Sequence, residues 1–438
     1  MPRFLALFFI AACLNQAASA DQGETVSFGG STMGTTYSVK IHVVADTPSL
    51  ARMQDVQIGV DGVLRNVNDQ MSTYLKSSEI SRFNQSQTTE WFDVSPEFAG
   101  VVETAQRISE QTDGAFDVTV GPLVNAWNFG PDQRTGKVPD DAAIEALRQS
   151  TGYQNLAVRT DPPAIKKAIA ALQIDLSAIA KGHGSDRVVE YLNTEGFPDV
   201  FVEIGGEVRT SGSKSGQWWK VGIQTPDAAT DAWTVAHALS TGSGNDNAMA
   251  TSGDYRNFFE ADGIRYSHTI DPRTGRPIQH DLASVSVVAA KCVDADAWAT
   301  ALNVLGPVDG LEVAKRENIS ALLISRTADG FARAGSGAMA QYATDADPAT
   351  SSTARPQSAA GSPWATMAIS TIAFGTILFL MAIGVIFGRR AISGSCGGLA
   401  NKTNPDGSTA CGLCSNPADA CKELRERMQS SESKQSTS

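Results

Sequence analysis

Apolar residues along this chain follow two rhythms, then give way to one long uninterrupted run near its C-terminal end. Positions spaced by three and four recur over Leu50–Asn68, Pro96–Thr112, Asp140–Thr151, Ala178–Thr194 and Ala295–Leu305, the period that turns one helix face toward a core. Short β-type runs fall at Tyr37–Val44, Val200–Ile204, Trp218–Ile223, Ser284–Ala289 and Ala321–Arg326, bounded by turn-forming residues. Helices and strands interleave without a regular strand–helix–strand rhythm. That predicts an α+β protein on a mixed sheet rather than a doubly wound one. Pro417–Ser430 reads as one short charged helix, and no repeat of fixed period is present.

The long run is Ala365–Phe387, 23 residues without a charge. As a helix it reaches about 35 Å, enough to cross a hydrocarbon core of about 30 Å. Arg389 and Arg390 follow it directly, and basic residues at such a boundary stay cytoplasmic. The expectation is a single-pass protein of the bacterial inner membrane, with its body in the periplasm and its tail in the cytoplasm. Met1–Ala20 supports this orientation: Arg3, an apolar stretch from Phe4 to Ala12, and the ending Ala18-Ser19-Ala20 form a secretory signal layout. The competing reading is a lipoprotein signal with Cys13 lipidated, because Cys13 follows Ile10-Ala11-Ala12. The expected organisation is a signal at 1–20, a folded body at 25–340 and a flexible linker at 343–364 rich in Ala, Ser, Thr and Pro. A membrane helix at 365–387 and a Cys-rich tail at 388–438 complete it.

Charge and cysteine usage then exclude some functions. The 438-residue chain carries a formal charge of −12; seven basic and five acidic residues from Arg389 onward leave −14 before them. So acidic a body is a poor nucleic-acid binder. After the signal the body holds one cysteine, Cys292, so no internal disulfide supports it. The tail holds Cys396, Cys411, Cys414 and Cys421, where reducing conditions favour metal binding over disulfides.

Polar and glycine clusters punctuate the body. Asp296 and Thr300 lie four residues apart, so a helix stacks both oxygens on one face. A carboxylate, a hydroxyl and a backbone carbonyl suit a hard cation such as Mg²⁺; the plainer reading is that Asp294 and Asp296 complement a helix N-terminus. His268, two residues before Asp271-Pro272, has the chemistry to accept a proton from an attacking hydroxyl, with Asp271 near enough to orient it; the plainer reading is a histidine structuring a turn. Gly205-Gly206 is an ordinary tight turn or a place where backbone approaches a ligand. Met33, Tyr74 and Phe116 are either core or an apolar clamp for an aromatic ring.

Taken in order, these clusters resemble the FAD:protein FMN transferase family, also called the flavin transferase or thiamine-biosynthesis lipoprotein family. The resemblance runs from Gly29 to about Arg326 through GSTMGTTYSV, MSTY with SEISRFN, GAFDVTVGPLVNAWNFG, DLSAIAKG, VEIGGEVR, ATSGDYRNF, YSHTIDPRTGRP and ADAWATAL. It implies a flavin-transferase fold and FAD contacts from Met33, Tyr74, Ala115, Phe116, Asp117, Asp175, Lys181 and Ile270. It further implies Mg²⁺ ligation by Asp296, Thr300 and the backbone oxygen of Ala178, with His268 as the histidine needed for transfer. His183 and Gly184 depart from the family, whose members usually show an aromatic residue and an alanine there.

The tail, with GSCGGLAN and then Cys411, Cys414 and Cys421, resembles the maturation factor of the sodium-translocating NADH:quinone reductase. That implies iron handling by four thiolates; a structural zinc knuckle is the alternative. Both resemblances lead to one expectation: FMN moves from FAD to a threonine or serine of an acceptor subunit in a membrane redox complex. The competing readings are a Mg²⁺-dependent FAD pyrophosphatase and a flavin-binding assembly factor without turnover.

Overall fold

The computed structural model describes residues 23–44, 52–131, 136–226, 233–239, 247–253, 258–261, 264–327 and 330–343. The signal, the linker, the span at 365–387 and the Cys-rich tail lie outside the described residues. Among the described residues no helix is long and apolar enough to cross a membrane.

In chain order the strands are β1 (Glu24–Thr32), β2 (Thr35–Val43), β3 (Phe92–Asp93), β4 (Leu156–Thr160), β5 (Pro163–Lys167), β6 (Val200–Ile204), β7 (Glu207–Ser211), β8 (Trp219–Gln224) and β9 (Trp233–Leu239). They continue as β10 (Ala248–Gly253), β11 (Phe258–Ala261), β12 (Ile264–Ser267), β13 (Ile270–Asp271), β14 (Arg276–Pro277), β15 (Leu282–Ala289), β16 (Ser320–Thr327) and β17 (Gly330–Gly335). The helices are α1 (Met53–Met71), α2 (Glu79–Gln85), α3 (Pro96–Gln111), α4 (Gly121–Ala126), α5 (Asp141–Arg148), α6 (Ala180–Thr194) and α7 (Cys292–Arg316).

Eight strands form the main sheet in the order β1-β2-β6-β7-β10-β15-β16-β17. Each neighbouring pair is antiparallel, which corrects the mixed sheet expected from sequence. The physical reason lies in the connections. Pairs such as β1–β2 and β6–β7 turn back through tight hairpins at Met33-Gly34 and Gly205-Gly206, where φ is positive. Antiparallel strands need only such short links, whereas parallel ones need crossovers.

Helices cover one face of this sheet. Val56, Val60 and Leu64 of α1 and Val188, Val189 and Leu192 of α6 pack on Val39, Ile41, Val200, Val202 and Ile204. Alternate residues of the same strands look the other way, so Phe201 and Val208 meet Trp219, Ile223 and Val235 of the β8–β9 ribbon. Central β15 is buried on both faces, and reads as a nearly continuous apolar run for that reason. Helix α7 breaks at Gly306, φ 82°, just before Pro307, the point at which the helical spacing in the sequence runs out.

Candidate active site

One cleft of about 1450 Å³ opens where the β1–β2 and β6–β7 hairpins meet the start of α6 and the face of α7. Met33, Tyr74, Ala115, Phe116, Asp117, Asp175, Lys181 and Ile270 all line it, as do Ala178, Asp296, Thr300 and His268. These residues are spread over more than 260 positions of sequence. The fold gathers them because turns at one end of the sheet carry most of them, while α6 and α7 supply Lys181, Asp296 and Thr300.

The apolar part of the wall is suited to a flat ring. Tyr74 is 69 % exposed although aromatic, whereas Phe116 is 2 % exposed and fixes the floor. Met33 adopts φ 49°, a left-handed conformation uncommon outside glycine, and its side chain reaches Gly184 of α6. Asp117 and Asp175 shape the adjoining loops. Asp117 accepts hydrogen bonds from Thr119 N (2.8 Å), Thr119 Oγ1 (2.7 Å) and Tyr153 N (2.7 Å); burial raises its carboxyl above the usual range while those donors pull it down. Asp175 accepts from the backbone and hydroxyl of Ser177.

The polar end is built on α6 and α7. Asp296 is 4 % exposed; its Oδ2 accepts from Gly182 N at 2.9 Å, and its Oδ1 lies 3.6 Å from Lys181 Nζ. Lys181 Nζ is also 3.3 Å from Glu207 Oε1. Burial pushes the Lys181 ammonium toward neutrality, but the carboxylates of Asp296 and Glu207 outweigh it and hold the group charged. Burial lifts the Glu207 carboxyl far above its usual range, against the pull of Lys181. Glu207 was not singled out from sequence, although the motif around it was; what marks it is its place on the strand directly after the Gly205-Gly206 turn.

Hard oxygen donors are present for Mg²⁺: the carboxylate and hydroxyl on successive turns of α7, beside the segment that carries the Ala178 carbonyl. Charge fits it too. Six acidic residues (Asp69, Asp117, Asp175, Glu203, Glu207 and Asp296) line the cleft against four basic ones (Lys40, Arg65, Lys181 and Lys220). Such a wall repels a pyrophosphate dianion unless a cation accompanies it. Among the described residues no cluster of three or more His, Cys, Asp or Glu is arranged to hold a metal.

His268 lines the cleft with its ring edge-on to Phe129, centroids 6.2 Å apart. Asp271 does not join it. Arg273 donates to Asp271 from its backbone N (2.9 Å), Nε (2.9 Å) and Nη2 (3.0 Å), and Gly275 N donates to the Asp271 carbonyl at 2.8 Å. The carboxylate is folded over its own turn, which corrects the expectation that it orients His268. The two residues are three apart across a strand start, where side chains do not stack as they would on a helix.

The ApbE family profile matches residues 33–323, and the profile described as (Na+)-NQR maturation NqrM matches residues 385–434. The FAD:protein FMN transferase of Vibrio cholerae is 45 % identical over 326 residues, covering 74 % of this chain and 95 % of the relative. That of Escherichia coli K12 is 38 % identical over 331 residues, covering 74 % and 92 %. Among solved structures, the flavin transferase ApbE from Vibrio cholerae superposes with a TM-score of 0.65 at 41 % identity, covering 74 % of this chain and all of that one. The apo flavinyl transferase ApbE of Pseudomonas stutzeri gives 0.64 at 38 % identity, covering 72 % and 95 %.

Proposed function

The chain belongs to the ApbE family, and we propose that its cleft transfers FMN from FAD to a threonine or serine hydroxyl of an acceptor protein, releasing AMP. The observation that carries this reading is the convergence in one cleft of Asp296, Thr300, His268 and the eight positions that the resemblance assigns to flavin contact. The acceptor oxygen forms a bond to the FMN-side phosphorus, the bridging P–O bond breaks, and the bridging oxygen leaves on AMP. His268, which lines the cleft, takes the hydroxyl proton. Bound by Asp296, Thr300 and the Ala178 carbonyl, Mg²⁺ would neutralise the pyrophosphate and the charge growing on the leaving phosphate. Tyr74, Met33 and Phe116 hold the isoalloxazine ring, and the loops braced by Asp117 and Asp175 position the phosphates, so most of the catalysis is positioning and electrostatics.

The stretch matching the NqrM profile supports a role in maturing a sodium-translocating NADH:quinone reductase or a related complex. In this reading Cys396, Cys411, Cys414 and Cys421 handle iron in the cytoplasm, residues 365–387 cross the inner membrane once, and the flavin-transfer body works in the periplasm. Labelling intact cells with a membrane-impermeant maleimide tests that placement; reaction of the tail cysteines before lysis refutes it.

The activity is tested by incubating the full-length protein with FAD, Mg²⁺ and an acceptor subunit of such a reductase, then weighing the acceptor. A gain of one FMN, abolished by EDTA and restored by Mg²⁺, supports transfer. AMP and free FMN without a gain in mass establish the pyrophosphatase instead, and neither product establishes binding alone.

A further inference from the structure

Lys181 is placed between two carboxylates that serve different ends. Its ammonium lies 3.6 Å from Asp296 Oδ1, an oxygen of the metal-site carboxylate, and 3.3 Å from Glu207 Oε1. A cation arriving at Asp296 therefore meets a positive charge already in contact with its ligand. Two cations on one carboxylate repel each other, so metal binding at Asp296 is favoured when the ammonium moves away from it. Where it goes is set by Glu207. That residue is 4 % exposed, its Oε1 already faces Nζ, and its Oε2 is buried without a hydrogen-bond partner. The rest of Glu207 is fixed as well: it sits in register on β7 opposite Ile204, and its carbonyl accepts from Ser185 Oγ of α6 at 3.1 Å. No other carboxylate is paired with Lys181 among the described residues.

We propose that Glu207 is a positioning residue that serves as the alternate counter-ion of Lys181, drawing the ammonium off Asp296 so that a divalent cation can bind there. The inference rests on the flavin-transfer reading through its metal site and adds a residue to it. Glu207 touches neither substrate nor metal in this scheme; its effect passes through Lys181. With Glu207 present, the ammonium exchanges one carboxylate for another a few ångströms away. Without it, the ammonium either stays on Asp296 and competes with the metal or keeps, in a partly buried place, only the Ser177 carbonyl at 3.4 Å, and a charge withdrawn from water without a counter-ion is unfavourable.

The test is Mg²⁺ binding to the full-length protein by calorimetry without FAD, so that transfer activity does not enter. The variants are E207Q, K181M and the double variant, each checked for an unchanged unfolding midpoint. Neighbours in contact are energetically coupled, so E207Q is expected to weaken Mg²⁺ binding by about tenfold. K181M, by removing the competitor, is expected to tighten it. In the K181M background the E207Q substitution is expected to have no further effect, because nothing remains to be drawn away. A penalty from E207Q that persists without Lys181 overturns the proposal, as does unaltered affinity in E207Q. Should E207Q fail to fold, the sign for K181M decides, and weaker binding in that variant is the contrary result. Wild-type protein that takes up no Mg²⁺ overturns both the metal site and this inference. Wild-type uptake with the wrong pattern among the variants overturns the inference alone.

Discussion

Gly182 is where a single methyl group tests the link between packing and chemistry. A Cβ there would lie 2.3 Å from the Cys292 carbonyl oxygen, 2.6 Å from its carbon and 2.8 Å from Asp296 Cβ. Real contacts of this kind stay above 3.0 Å, so in G182A the helices α6 and α7 must part by about 0.7 Å of backbone movement. The Gly182 N–H···Oδ2 bond to Asp296, now 2.9 Å, stretches to about 3.6 Å, which is no longer a hydrogen bond. Overpacking costs about 1–3 kcal/mol and the lost charge-assisted bond about 1.5–3, while alanine returns about 1 kcal/mol of helix propensity. The net loss, about 1.5–5 kcal/mol and centred near 3, over a body of roughly 300 residues lowers the midpoint by only about 5 °C. If Asp296 holds the metal as proposed, misplacing its carboxylate by that distance should cost far more in rate, about 100-fold. The assays are calorimetric unfolding and initial rates of FMN incorporation by mass at saturating Mg²⁺. An unchanged midpoint with transfer within threefold of wild type refutes the reasoning. Gly184 is the internal control: a Cβ there meets only the Met33 Cε at 2.9 Å and the Ile204 Cδ1 at 3.2 Å, side-chain ends that can rotate.

G184A should therefore keep or slightly raise the unfolding midpoint and leave kcat within twofold, while the KM for FAD rises as Met33 is displaced; steady-state kinetics at varied FAD separate the two. Changing His268 to Gly should lower transfer by about 10²–10⁴-fold with FAD affinity nearly unchanged, checked by mass incorporation and flavin fluorescence titration; retained transfer refutes its role. Asp186, which accepts from Cys292 N and Val293 N at 2.9 Å each and faces Arg209 at 3.4 Å, has its carboxyl pushed up to about 6, chiefly by burial. A folded-state value above the unfolded one means the protonated form is favoured on folding, so this residue's contribution is full below about pH 4 and falls as pH rises through 6. Thermal melts should show the midpoint of wild type minus D186N decreasing between pH 4.5 and 7; a constant difference refutes the assignment.

Helical periodicity was legible because these helices are amphipathic and bounded by explicit signals. Ser95 accepts from Phe98 N and Asp140 from Ala143 N at the starts of α3 and α5, and Gly306-Pro307 breaks α7. Sheet polarity was not legible, because strand periodicity records which face is buried and not which way the neighbouring strand runs. The residues of the cleft were readable for a different reason. Turns at one end of an antiparallel sheet carry most of them, and a turn needs glycine and short polar side chains at particular positions, so the motifs stand out against the apolar strands. Glu207 escaped and Asp271 was given the wrong partner because each depends on a residue distant from, or unexpected in, the local pattern: Lys181 for the first and Arg273 for the second.

Helix α6 also explains why the Asp296 carboxylate needs no support from its own helix. Lys291, at the N-cap of α7, makes no side-chain capping bond, leaving the first N–H groups to be satisfied from elsewhere. Asp186 supplies both, and Gly182, one turn earlier on the same face of α6, comes close enough for its N–H to reach Asp296. Lys181 then adds its charge beside Gly182. Three neighbouring positions of one helix thus cap α7, set its distance and place the counter-charge of its carboxylate. An approach this close admits only glycine at 182, which makes the spacing of Lys181, Gly182 and Asp186 a requirement of the site's geometry rather than of helix formation, to which glycine contributes unfavourably.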